Sequence, residues 1–186
     1  MGKLFPKIDD SVRKFIEDQP LFFVASAPLD PEGHVNVSPK GLDTLRILGP
    51  STMSYLDLTG SGIETVSHLK ENGRIVLMFC NFHGPPKILR LYGRGTVIEP
   101  GHPEFQSLAG RFPAHAGARA VILIEISRIA DSCGFGVPLF EYEGQRSQLS
   151  AWSQKLGSVG LKKYRLEKNS RSIDGAPGLE KPAGEV

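Results

Sequence analysis

Short strand-like segments, most of them bounded by glycine or proline, recur through residues 21–129 and constrain the fold more than any other feature. Valine, isoleucine and phenylalanine are frequent in them, as is typical of buried or half-buried strands. Many short strands joined by tight turns favour a closed barrel or a sandwich. The pattern predicts strands at 21–27, 35–40, 45–48, 52–57, 74–79, 88–98 and 120–129.

Apolar residues at helical spacing predict helices around these strands. The first helix begins near residue 8 and stops before Pro20, and the second spans 62–72 and ends at Gly73. A short helix follows Pro103, and a helical region begins near residue 146. Its charged stretch "LKKYRLEK" is typical of a solvated helical face.

The length of 186 residues fits one domain, which we predict at 1–177 with a disordered tail at 178–186. Lys+Arg number 22 and Asp+Glu number 20, so the charge of +2 indicates neither a nucleic acid nor an anionic membrane as a partner. Cys80 and Cys133 have no metal-type spacing, and the first residues lack a signal peptide. We therefore expect a cytoplasmic protein with reduced thiols and no metal site.

The stretch "HVNVSPKG" combines a polar and an apolar strand face. His34, Asn36, Ser38 and Lys40 alternate with valine and proline at period two. Such a polar, cationic face is explained either by solvent or by a bound anion.

The strand "KILRLYGRGTVIE" separates Leu89, Leu91 and Val97 from Arg90 and Arg94. Its first face is expected in the core, whereas the arginines are explained by solvation, by cross-strand pairs or by an anion. A phosphate monoester carries nearly two negative charges and needs converging cations and hydroxyls.

The glycine-rich "LTGSGIETVSHLKENG" precedes the second predicted helix, whose first N–H groups and dipole favour an anion. Ser61 and Glu64 also have the spacing of a capping box, which would occupy the same N–H groups. The sequence leaves both interpretations open.

Three consecutive blocks, "VNVSPKG", "SYLDLTGSGIETVSHLKENGRIVLMFCNF" and "KILRLYGRG", resemble the pyridoxamine 5'-phosphate oxidase-like flavoproteins over residues 8–130. The resemblance implies a mainly β fold with flanking helices, a six-stranded split β-barrel. It also implies a homodimer that binds FMN at the subunit interface.

Carried over by position, the resemblance assigns the cofactor to two strands, the glycine-rich loop and one arginine. Lys40 would point into the pocket, and Arg90 would contact the phosphate or ribityl region. Where the family ends a strand in Tyr-Thr, this chain has Leu56 and Asp57, and it lacks the basic residues that precede the helix in the oxidase. The implied cofactor residues are Asn36, Val37, Ser38, Lys40, Asp57, Ser61, Gly62, Thr65 and Arg90.

The chain lacks the Arg-x-His with which the biosynthetic oxidase holds its substrate, so oxidation of pyridoxamine phosphate is not expected. We expect an FMN-dependent oxidoreductase that acts on a small organic substrate or a reduced nicotinamide. The alternative is a flavin or haem carrier or sensor on the same barrel, because fold alone does not decide activity. The sequence identifies no catalytic side chain.

Overall fold

An antiparallel sheet forms the centre of the molecule in the computed structural model, which describes residues 2–180. In this range the strands are β1 (Leu4–Phe5), β2 (Phe22–Ser26), β3 (Asn36–Lys40), β4 (Leu45–Ile47), β5 (Thr52–Leu58), β6 (Arg74–Cys80), β7 (Ile88–Ile98) and β8 (Ala118–Ser132). Their order in the sheet is β3-β2-β6-β7-β8-β5-β4, and β1 pairs with β8.

The helices in the same range flank this sheet. They are α1 (Asp10–Glu17), α2 (Glu64–Asn72), α3 (Phe105–Ala109) and α4 (Gln148–Lys168). Asp9 caps α1 by accepting the N–H of Val12 at 2.9 Å, and Gly73 ends α2 in the left-handed conformation with a φ of 70°. Gly157, with a φ of 63°, interrupts α4 and divides it into two helical segments.

The predicted mainly β fold with flanking helices is confirmed, since the sheet curls into the half-barrel of a split barrel. The resemblance implied six strands and the sequence pattern predicted seven, whereas eight are present in the described range, a minor difference. The pattern predicted β4 at 45–48 and missed only the two-residue β1, which is held by its neighbour β8. A strand this short carries little sequence pattern of its own.

The core lies on the inner face of the sheet. Val24, Leu77 and Leu91 are direct neighbours across β2, β6 and β7, and all three are fully buried. Because direct cross-strand neighbours share a face, Phe23 and Met78 lie on the outer face, where they are half-buried. The alternation read from the sequence therefore separates the two faces correctly.

The predicted domain ends at 177, and the predicted tail covers 178–186. The N–H groups of Gly178 and Leu179 donate to the carbonyls of Ser170 and Asn169, both at 2.9 Å. Residues 181–186 lie outside the described part of the chain. Among residues 2–180, no helix is both long enough and apolar enough to span a bilayer.

Candidate functional site

The inner face of β3 carries the polar residues that the sequence placed together. Asn36, Ser38 and Lys40 lie opposite Ser26, Val24 and Phe22 of β2 respectively. These three partners are buried, so the polar side chains point to the inner side of the sheet. Val37 lies on the outer face and is 60% exposed.

Asn36 joins β3 to the first turn of α2. Its Nδ2 donates to Thr65 Oγ1 at 2.9 Å and to Ser38 Oγ at 3.3 Å. The structure thus brings together three of the predicted cofactor residues, which come from a strand edge and a helix N-terminus.

A buried charge cluster continues this site toward the barrel end. Lys40 Nζ donates to Asp57 Oδ1 at 3.2 Å, and Arg119 Nε donates to Asp57 Oδ2 at 2.6 Å. Burial of Asp57, which is 1% exposed, opposes ionisation, but the charges and hydrogen bonds of Lys40 and Arg119 outweigh it and lower the pKa of Asp57. Asp57 is therefore an ionised partner for two cations.

Arg119 was not identified by sequence reasoning. Its signal was the run "ARAVILI", in which a charged residue directly precedes a continuous apolar stretch of the strand. Such a residue, here 5% exposed, requires a buried partner, and that partner is Asp57.

Of the two interpretations that the sequence left open at the start of α2, the capping box is not formed. The N-cap is Ile63, no side chain caps the helix, and Ser61 is exposed two residues upstream of the cap. Glu64 instead accepts the N–H of Ile173 at 3.4 Å through Oε1. Within residues 2–180 the first N–H groups of α2, those of residues 64–66, have no hydrogen-bond acceptor. They therefore have no partner in this part of the chain; Thr65 and Val66 are buried, and Gly62 is exposed in the preceding loop.

The predicted solvated face of "LKKYRLEK" is wrong at Arg165. Its Nε donates to Thr59 Oγ1 at 2.8 Å, and its Nη2 donates to the carbonyl of Ala118 at 2.9 Å. Burial, together with the nearby charge of Arg119, lowers the pKa of Arg165. Asn169, the C-cap of α4, also contacts this region, and sequence reasoning missed both residues.

A cavity of about 790 Å³ opens beside Lys40. The extended segment 140–146 covers it, and Gln145 fastens this segment by accepting the N–H of Leu42 at 2.9 Å and donating to the carbonyl of Pro20 at 2.8 Å. The N–H of Phe140 also donates to the carbonyl of Phe82 at 3.0 Å. The walls are mainly apolar and include Phe23, Leu42, Leu58, Phe82, Phe140 and Leu149.

Arg90 does not approach the other predicted cofactor residues within one chain. It lies opposite Met78 on the outer face, and its Nη1 donates to Ser132 Oγ at 2.9 Å. Lys40 points to the inner side, and β2 and β6 separate the two strands.

Metal-ligating side chains do not cluster in the described range: no three His, Cys, Asp or Glu residues there could hold a metal ion together. Both cysteines are free; Cys133 is exposed, and burial raises the pKa of the Cys80 thiol.

Comparison with known proteins gives one consistent family. Residues 8–133 match the family model described as pyridoxamine 5'-phosphate oxidase. The chain is 41% identical over 196 residues to the pyridoxamine 5'-phosphate oxidase family protein ustO of Aspergillus flavus, an alignment that covers 96% of this chain and 78% of that protein.

Solved structures show the same fold at lower identity. An inferred pyridoxamine 5'-phosphate oxidase of Lactobacillus delbrueckii has a TM-score of 0.54 and 20% identity, over 68% of this chain and 98% of that one. HupZ of Group A Streptococcus has a TM-score of 0.52 and 23% identity, over 67% of this chain and 99% of that one. By its matched residues and its 41% identity to a curated relative, this chain belongs to the pyridoxamine 5'-phosphate oxidase family.

Proposed function

We propose that this protein is an FMN-dependent oxidoreductase that acts on a small organic substrate or a reduced nicotinamide. The observation that carries the proposal is the uncapped N-terminus of α2, which lies next to the polar face of β3 through the Asn36–Thr65 contact. Membership of the family supports the choice of a flavin.

The charges of the site suit a phosphate. Lys40, Arg119 and Arg165 surround the region with three positive charges, against the two carboxylates of Asp57 and Glu64. A phosphate monoester brings nearly two negative charges. Helix N-termini bind such anions through free N–H groups and the helix dipole. The available residues therefore fit the phosphate of FMN.

The predicted cofactor residues divide into three roles in this proposal. Ser61, Gly62 and Thr65 hold the phosphate, and the β3 residues 36–38 contact the remainder of the cofactor. Asp57 acts indirectly, because it holds Lys40 at the cavity.

A bound flavin supplies electron or hydride transfer, and the protein supplies position and access. The cavity beside Lys40 then receives the organic substrate. Its volume and mainly apolar lining are typical of small-molecule sites. Segment 140–146 limits the access of water to it.

We further propose a cytoplasmic homodimer with the cofactor at the subunit interface. The outer sheet face supports this assembly, because Val35 and Val37 are 71% and 60% exposed, and Val76 and Met78 beside them are only half-buried. Exposed apolar surface of this kind often marks an interface. Arg90 lies on the same face, so we assign it to the cofactor bound across the interface.

The absorption spectrum of the purified protein tests the cofactor, because flavin and haem have different band patterns. Binding of FMN followed by oxidation of NADH or NADPH would support the enzyme, whereas flavin binding without turnover of any donor would support a carrier. Haem remains the second candidate cofactor because one histidine, His83, lines the cavity. A haem spectrum with no FMN binding by the apoprotein would refute the proposal.

A further inference from the structure

The loop between β5 and α2, residues 59–63, is hydrogen-bonded to residues that lie outside the family-matched range 8–133. Asn169 Nδ2 donates to the carbonyl of Gly60 at 2.9 Å and to that of Ser61 at 3.4 Å. Arg165 Nε donates to Thr59 Oγ1 at 2.8 Å. Thr59 is itself fixed, because its N–H and its hydroxyl both donate to the carbonyl of Gly117.

These contacts determine where the loop's N–H groups point. In a trans peptide the C=O and the N–H point in opposite directions. When Asn169 binds the carbonyls of Gly60 and Ser61, the N–H groups of the next residues, Ser61 and Gly62, are turned away from α4. Neither N–H has a hydrogen-bond acceptor among residues 2–180.

The same contacts place positive charge behind the loop. Arg119 Nη1 lies 3.3 Å from the carbonyl of Gly60, and Arg165 reaches Thr59 next to it. The resemblance to the family leads one to expect basic side chains just before the helix, where this chain has Ser61 and Gly62. Two guanidinium groups therefore contact Thr59 and Gly60, directly before the two positions at which those basic side chains are expected.

We propose that Asn169 and Arg165 are positioning residues for the cofactor phosphate. They orient the N–H groups of Ser61 and Gly62 toward the anion, and Arg165 adds its charge from behind the loop. The phosphate is thus bound through the backbone and supported by α4. This inference rests on the proposed function, since it assumes that the anion is the phosphate of FMN.

The test compares FMN with riboflavin, which lacks the phosphate. Dissociation constants are measured by flavin fluorescence for the wild-type protein, Asn169→Ala and Arg165→Gln. We expect each substitution to raise the dissociation constant of FMN about tenfold, which is the effect of one lost polar contact. The dissociation constant of riboflavin should not change. A general loss of folding would weaken the binding of both ligands.

Matched controls lie on the same part of the chain. Lys163→Gln removes a positive charge from an exposed ion pair of α4, and Ser170→Ala changes an exposed side chain next to Asn169. Neither should alter the ratio of FMN to riboflavin affinity. Asn169 is fully buried, so if Asn169→Ala does not fold, Arg165→Gln and Arg165→Lys decide the question. The lysine variant, which keeps the charge, should retain more of the FMN preference than the glutamine variant.

The outcomes separate this inference from the proposed function. If the wild-type protein prefers FMN and the folded variants keep that preference, α4 does not position the phosphate, and the proposed function stands. If the wild-type protein binds riboflavin as well as FMN, the phosphate site is wrong, and this inference is wrong with it.

Discussion

Asp57 is the side chain whose replacement we expect to cost the most stability in the buried charge cluster. Asp57→Asn preserves the shape but removes the negative charge shared by Lys40 and Arg119. Removing one partner of a buried ion pair typically costs about 3–5 kcal/mol, because the other charge remains buried and unpaired.

The two cations contribute unequally to this cost. Arg119 is 5% exposed and its Nε lies 2.6 Å from the carboxylate, so it cannot regain water. Lys40 is more exposed, with 21% of its side chain accessible, and its longer contact of 3.2 Å can be replaced by solvent. We therefore expect a loss near the lower limit, about 3 kcal/mol, most of it from Arg119.

Equilibrium unfolding in urea measures this loss. Asp43→Asn is the control, because it breaks the exposed ion pair of Asp43 with Arg46 and should cost less than about 1 kcal/mol. A combined Asp57→Asn and Arg119→Leu variant should recover part of the loss, since it no longer buries an unpaired charge. If Asp57→Asn costs no more than Asp43→Asn, the electrostatic account of the cluster is refuted.

Three further predictions concern pH, the phosphate and the assembly. The pKa of Asp57 is lowered from its ordinary 3.8 in the folded protein, so the stabilisation that its ionised carboxylate contributes is present above about pH 4 and is lost as the pH falls through the lowered pKa. Acid unfolding curves of the wild-type protein and Asp57→Asn should therefore converge at low pH. Parallel curves would contradict this. Glu64→Gln removes a negative charge from the start of α2, so FMN should bind more tightly by about 0.3–1 kcal/mol in fluorescence titrations. This gain should shrink at higher salt, and the affinity for riboflavin should not change. Weaker FMN binding would count against the helix site. Met78→Glu places a charge on the outer sheet face and should yield monomers in light scattering at micromolar concentration. Gln154→Glu, on the exposed side of α4, is the control and should leave the dimer intact. A dimer that persists in both variants would show that the interface does not include this face.

Local sequence patterns predicted the strands and helix ends well. The alternation of β7 gave its observed limits, Ile88–Ile98, and Gly73 ends α2 as expected from glycine's tolerance of positive φ. Strand β1 was missed because only its pairing with Ile129 and Ala130, far along the chain, defines it. Patterns that lie within one element are visible in a sequence, whereas pairings between distant elements are not.

The side chains that hold the site depend on such distant pairings. Arg119 lies 62 positions from Asp57, and Arg165 lies 106 positions from Thr59. The capping-box alternative is not formed for the same reason: Asn169, 108 positions from Ser61, binds the loop carbonyls, and the helix begins after Ile63. Ser61 and Glu64 have the spacing of a capping box, but contacts with residues far along the chain give the loop another conformation.

Sheet topology links the assignment of Arg90 to the cofactor with the predicted homodimer. Arg90 shares the outer face with Met78, whereas Lys40 shares the inner face with Phe22. Strands lie about 4.8 Å apart, so the three steps from β3 to β7 separate their backbones by about 14 Å. One phosphate cannot contact both side chains of a single chain, and only a second copy that covers the outer face could bring Arg90 to the cofactor. The assignment of Arg90 to the cofactor therefore requires the homodimer, and a protein that binds FMN as a monomer would exclude it.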